Sequence, residues 1–254
     1  MWLKYPESSR IPLVLGSTLA IATAFHNILF ILQVPILICL FVSKLSNRPI
    51  PDTSKSVLFG ASLLLTQFLV LLPSHQFVTF EYEFYTHSWF HLHVALLTAL
   101  GAFAIRKKQK SVMWALLLFA VILSFPTFGQ VLYGLNYATA EGFALDQLLE
   151  TRRPFGERLP FSEMNKRYSG LIWLLPFCFI YLFYKLTAQR SQGPMLVAII
   201  FGVFGLILLS SQIRFGNFGY LFLILVPLLF IQQFITRGRD IFIAGALFFG
   251  AYTF

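Results

Sequence analysis

The sequence predicts an all-α membrane protein, a polytopic transmembrane bundle of about eight or nine spans with one long external loop. Three observations carry that expectation. Hydrophobic residues make up 57% of the 254 residues, 30 of them Phe, while charged residues make up only 11%. A soluble chain carries roughly 25% charged residues, so this one is too poor in charge to cover itself against water. Its apolar residues fall in long runs broken by short polar stretches. Finally, its basic residues gather in alternate connections, the pattern that orients membrane proteins.

The run Ile11–Val42 is too long for one crossing and is interrupted by His26, Asn27, Gln33 and Pro35, so it reads as two helices, near 11–26 and 28–43, joined by a tight turn. Further spans follow at Ser56–Leu72, Trp89–Ile105, Ser111–Phe125, Leu171–Leu186, Met195–Ser211, Phe215–Ile235 and Ile241–Phe254. Several fall short of the roughly 20 apolar residues of a comfortable crossing, and interfacial Trp and Tyr complete them. Met1–Arg10 lacks an apolar core followed by small residues, so no signal peptide is expected. Cys39 and Cys178 both sit inside apolar runs and offer neither a disulfide framework nor a zinc cluster.

With the start facing the cytoplasm, the inner connections hold 13 basic residues and three acids, and the outer ones six basic residues and seven acids. The net charge of +9 thus divides into +10 inside and −1 outside. The basic excess is a topology signal, and no nucleic-acid partner is needed to explain it. No Asp, Glu, Lys or Arg sits mid-span and the two halves do not repeat, which argues against a proton-coupled pump or an inverted-repeat transporter. Length is spent outside instead. One outer loop, 74–88, is short, aromatic and acidic; the other, 126–169, is far longer than an ordinary connection and so reads as functional.

Three outer-face constellations could carry chemistry. Arg214 stands alone at the outer end of a span, followed by Gly216 and Gly219. A guanidinium there can hold a phosphate or pyrophosphate bidentately, or simply snorkel to lipid headgroups. Glu150 lies in the long loop beside Arg152 and Arg153, where a carboxylate could place a metal or orient an acceptor near an anionic donor. The plainer account of that trio is a surface ion-pair cluster. The third is Glu81 and Glu83 with His75, His87, His91 and His93. His87 and His91 are four apart and would share one face of a helix, a spacing compatible with zinc, although the run lacks the glutamate of an HExxH motif.

Together these segments resemble the catalytic subunit of the oligosaccharyltransferase family. SSQIRFGNFGYLFLILVPLLF is similar to that family's span with an Arg-Phe pair, aromatic residues and then a Pro in an apolar helix. QLLETRRPFGERLPFSEMNKRYSG resembles its long fifth external loop, where a Thr-Ile-x-Glu motif precedes a basic stretch and a Ser-Gly. PLVLGSTLAIATAFHNILFILQVPILICLFV is similar to its paired helices in mid-membrane-domain. The resemblance implies a GT-C membrane glycosyltransferase of protein glycosylation, moving a glycan from a polyprenyl-(pyro)phosphate donor to an acceptor protein or peptide at the outer face. It gives Arg214 the donor pyrophosphate, and Glu150 the acceptor amide and a divalent metal (Mg or Mn), with Arg152 and Arg153 in support. It also implies a multi-pass protein of a bacterial or archaeal plasma membrane, in contact with membrane lipids, its N-terminus cytoplasmic.

The departures from that pattern are specific. Gln147 and Leu148 stand where the loop motif has Thr-Ile, so only Glu150 matches. The acidic Asp-x-Asp motifs supplying the remaining metal ligands are absent, as is the Trp-Trp-Asp acceptor motif; the three Asp residues, Asp52, Asp146 and Asp240, form no such pattern. Residues 1–254 are therefore expected to be a single transmembrane domain, a piece of a longer enzyme, inactive alone. The alternative from another class is a non-enzymatic polytopic subunit or transporter whose long external loop binds a partner.

Overall fold

The computed structural model describes residues 8–45, 53–130, 132, 174–188, 193–211 and 216–232. All regular structure among them is helical, and no strand occurs there. The chain divides into two compact units, Met1–Tyr137 and Ala138–Phe254.

In the first unit, α1 spans Arg10–Phe25 and stops where His26 turns extended. The chain then runs through a 3₁₀ segment, Asn27–Leu32, before α2, Gln33–Leu45. Pro35 falls in the first turn of α2, where its missing N–H costs nothing. The expected tight turn is thus a six-residue 3₁₀ segment, and it does not fold the two helices into a simple hairpin. Instead α1 packs chiefly on α3, Ser56–Leu71, and α2 on α5, Trp89–Arg106. Between α3 and α5 lies a one-turn helix, α4, His75–Val78. α6, Lys110–Leu123, follows, after which 125–130 is again helical.

Small residues let these helices approach. A Cβ on Gly16 of α1 would collide with Ser62 Oγ and the Phe59 carbonyl of α3, and one on Gly60 would come to 2.8 Å from Ala99 Cα of α5. Leu19 and Ala20 of α1, Leu40 of α2, Phe59 and Leu63 of α3, and Ala95 and Ile105 of α5 form the core. Hydroxyls add cross-links: Ser56 Oγ donates to the Ala102 carbonyl at 2.7 Å, and Thr66 Oγ1 to Ser17 Oγ at 3.1 Å.

In the second unit α7 spans Leu175–Ala188, α8 Gly193–Ser211 and α9 Gly216–Gln232. α8 and α9 cross on glycine: a Cβ on Gly219 would lie 2.6 Å from the Gly205 carbonyl oxygen, and one on Gly202 would strike Val226 and Phe179. Tyr181 of α7 meets Phe230 of α9 edge-on at 5.0 Å.

Helix positions follow the apolar runs closely, but crossing length does not. Among the described residues one helix, Trp89–Arg106, is long and apolar enough by length and composition to cross a membrane; the other apolar helices hold 10–17 residues. The expected span Ile241–Phe254 lies outside the described residues.

Candidate functional site

The chemistry that the described residues bring together lies in the connection from α3 to α5 and the 3₁₀ segment beside it. Ser88 organises it. As N-cap of α5, its hydroxyl accepts from the Phe90 N–H at 3.3 Å and from the Glu83 N–H at 3.0 Å, and donates to the Glu83 carbonyl at 2.6 Å. Three residues on, His91 Nδ1 accepts from the Ser88 N–H at 3.3 Å, so an imidazole completes the capping box where Glu or Gln is usual. An accepting Nδ1 leaves the proton on Nε2, which faces the Asn27 carbonyl at 3.3 Å. The Asn27 amide in turn donates to the Tyr85 carbonyl at 2.6 Å. The break after α1 and the start of α5 are therefore bonded from both directions through one neutral, fully buried histidine.

Beside this knot, Gln67 of α3 meets His87 Nε2 at 2.5 Å, and the His87 and His91 rings lie 5.6 Å apart. Burial holds the His87 imidazole below its ordinary range and so keeps it neutral. The Tyr82 hydroxyl donates to His93 Nδ1 at 2.6 Å, and burial pushes its phenol up to about 12. Beside this pair, α3 and α5 flank an apolar groove of 670 Å³, lined by Leu64, Leu65, Phe68, Tyr82, Trp89 and Leu92.

These bonds decide the zinc expectation. His87 and His91 do not share a helix face, because Ser88 caps α5 and leaves His87 in the loop. His91 uses both ring nitrogens, His87 uses Nε2 and His93 uses Nδ1. Among the described residues no three His, Cys, Asp or Glu side chains converge to hold a metal ion. Among the described residues, the Glu81 carboxylate meets the solvent-exposed His75 at 3.7 Å and the Thr79 hydroxyl at 3.1 Å.

The same loop carries an aromatic stack. Phe77 and Phe80 both lie nearly parallel to Trp89, inclined 19° with centroids at 5.1 and 5.4 Å. The Trp89 indole N–H donates to the Phe77 carbonyl at 3.1 Å, which fixes the ring's direction. Phe80 has φ 55°, the one positive φ at a non-glycine residue among the described residues. That conformation costs a bulky residue about 1–3 kcal/mol, and stacking offsets about 0.5–1.5 kcal/mol of it.

Glu150, Arg152, Arg153 and Arg214 all lie outside the described residues, as does most of the 126–169 loop. What the sequence reading missed is the role of Asn27, Gln67 and Ser88. The spacing of Ser88 and His91 is a capping-box spacing and was the available signal. Nothing in the sequence marks the positive φ of Phe80.

No protein-family model matches the sequence, and no curated protein does. Solved structures do match. The fold resembles that of an oligosaccharyltransferase. The archaeal oligosaccharyltransferase AglB from Archaeoglobus fulgidus, in complex with an inhibitory peptide and a dolichol-phosphate, superposes with a TM-score of 0.72 at 17% identity. The oligosaccharyltransferase of the same organism in its apo form gives a TM-score of 0.70 at 18% identity. Each match covers 96% of this chain and 33% of the other, so this chain spans about a third of the length of these oligosaccharyltransferases. At this identity the likeness establishes the fold. The family resemblance read from the sequence and the fold found in three dimensions point to the same proteins.

Proposed function

We propose that the chain is part of a GT-C membrane glycosyltransferase that transfers a glycan from a polyprenyl-(pyro)phosphate donor to a protein acceptor at the outer membrane face. The observation that carries the proposal is the superposition of 96% of the chain on one third of an oligosaccharyltransferase. The dolichol-phosphate and inhibitory peptide in that neighbour's structure support a lipid-linked donor and a peptide acceptor. In the reaction, the bond from the sugar's anomeric carbon to the (pyro)phosphate oxygen breaks. A bond to the acceptor amide nitrogen forms, and the amide gives up a proton. The difficulty lies in the charge gathering on the leaving group and in the poor nucleophilicity of an amide.

In this reading Arg214 holds the donor pyrophosphate and Glu150 orients the acceptor amide, with Arg152 and Arg153 balancing donor charge. A divalent cation, Mg or Mn, would add Lewis-acid stabilisation of the leaving group, and Glu150 is the carboxylate of this chain assigned to it. The cluster of His75, Glu81, Glu83, His87, His91 and His93 does not fit that cation, since among the described residues no three His, Cys, Asp or Glu side chains converge to hold one.

A multi-pass location, with eight or nine crossings and a cytoplasmic N-terminus, is supported by the charge asymmetry of +10 against −1. It is also supported by the apolar side chains the helices present outward. α6 buries Met113 and leaves Trp114, Leu118, Phe119, Val121 and Ile122 exposed, a face suited to lipid. The bacterial or archaeal plasma membrane is the proposed site.

Alanine at Arg214 and at Glu150, in the protein that carries this chain, tests the reading. Glycan transfer from a lipid-linked donor to an Asn-containing peptide is expected to fall by about 100-fold or more in each variant, the loss typical of a removed charge stabiliser. Wild-type transfer in both variants would reject the assigned roles, and no transfer by the unsubstituted protein would favour a non-enzymatic subunit or transporter.

A further inference from the structure

The ring of Phe80 is held in an unfavourable backbone conformation and is nonetheless 73% exposed. Its stacking on Trp89 covers one face and leaves most of the side chain exposed. The Trp89 ring is itself oriented by its bond to the Phe77 carbonyl. The sequence neighbours of Phe80 are polar. Thr79 and Glu81 flank Phe80 in sequence, the Thr79 hydroxyl bonds Glu81, and the Glu81 carboxylate is a third exposed.

The charge of the segment that carries this face narrows what it can hold. From Ser56 to Ile105 the sequence contains no Lys or Arg, and its charged residues are Glu81 and Glu83. A site for phosphate or an anionic lipid headgroup would need cations. Carboxylates accept hydrogen bonds and repel anions, so they suit a neutral ligand rich in hydroxyl donors. An aromatic face suits the C–H side of a sugar ring, whose hydroxyls lie at its edge.

We propose that Phe80, stacked on Trp89 and flanked in sequence by Thr79 and Glu81, is a recognition platform for a neutral glycan. The proposal deepens the transferase reading and rests on it for the glycan's origin. It adds a sugar-contacting surface that belongs neither to Arg214 nor to Glu150. Phe80 provides the stacking face, Glu81 accepts hydroxyl protons, and Trp89 sets the angle of the face.

The protein carrying this chain, in nanodiscs of zwitterionic phosphatidylcholine and titrated with free maltotriose and free chitotriose under saturation-transfer NMR, tests it. At least one trisaccharide is expected to bind with a Kd near millimolar, with saturation strongest on its ring C–H protons. Phe80→Gly suits the positive φ and should fold, yet is expected to weaken binding about tenfold, while Phe80→Trp keeps it within about twofold. Glu81→Gln is expected to weaken it severalfold. Binding of neither sugar to the wild type, or equal binding to Phe80→Gly, overturns the proposal. A platform that is instead a membrane anchor would show Phe80-dependent quenching of Trp89 by brominated lipid without sugar binding, and that also overturns it. The two readings fail separately. Trisaccharide binding without any transfer activity sinks the transferase alone, and transfer without trisaccharide binding sinks the platform alone.

Discussion

The two units hold their helices together by different means. In the first, buried Gln33, Ser56, Gln67, His91 and Thr98 tie segments far apart in sequence. Gln33 Oε1, for example, accepts from Thr98 Oγ1 at 2.7 Å. In the second, the buried residues among those described are apolar, and α8 and α9 meet through Gly202, Gly205 and Gly219. Shape alone lets helices approach but discriminates weakly between sliding registers. In an apolar setting a buried polar pair sets register, because a displaced partner leaves a group unsatisfied. The first unit is therefore built to hold the loop between α3 and α5 in one geometry, and the second to bring two backbones close beside the Arg214 connection.

The largest effect expected from breaking this contrast comes from the glycine contact. Gly219→Leu drives a side chain into the Gly205 carbonyl and should cost about 3 kcal/mol or more, read as loss of the folded fraction in detergent thermal unfolding. His91→Ala comes next. It leaves the Ser88 N–H and the Asn27 carbonyl without partners and opens a cavity, for an expected loss of about 2–4 kcal/mol. If the polar network does set register, crosslinking between cysteines introduced at Tyr85 and Asn27 should fall in this variant and remain unchanged in Gly219→Leu.

A smaller effect is tied to pH. His87 is held neutral, its folded pKa below the ordinary 6.5. The unfolded chain thus binds the proton more readily as pH drops, so this contribution to stability is complete above about pH 6.5 and declines below it. The melting temperature is expected to fall between pH 7 and 5, and less steeply in His87→Gln. Tyr82 acts at the other end. With its phenol pushed up to about 12, its contribution is intact below pH 10 and is lost as pH rises toward 12. The smallest effect belongs to His75→Ala, which removes a solvent-exposed contact with Glu81 and should change stability by less than about 0.5 kcal/mol.

How far the sequence foretold this arrangement depends on whether the determinants are local. The start of α3 at Ser56 and of α5 at Trp89 were legible because Lys55 and Ser88 bound apolar runs. The break at His26 was legible for the same reason. Its 3₁₀ form was not, since the tighter winding has no compositional signature. The bonds of Gln67 to His87 and of Asn27 to His91 join residues 20 and 64 apart, and isolated amides in apolar runs do not announce their partners. Zinc at His87 and His91 would have needed one helix through both residues, whereas the Ser88 cap leaves His87 in the loop before α5. For Glu150, Arg152, Arg153 and Arg214, the order of the motifs and the positive-inside charge pattern carry the reading, together with a fold shared over 96% of the chain.

Binding of the lipid-linked donor tests that reading most directly. The protein carrying this chain, reconstituted in nanodiscs, would be exposed to a photoreactive polyprenyl-pyrophosphate-linked glycan and the adduct quantified by mass spectrometry. The wild type is expected to crosslink, Arg214→Ala to lose about nine-tenths of the adduct, and Arg214→Lys to recover only part of it, since an ammonium cannot hold a pyrophosphate bidentately. Equal crosslinking in wild type and Arg214→Ala would contradict the role given to Arg214, and none in the wild type would contradict the proposal that this chain binds a lipid-linked glycan donor.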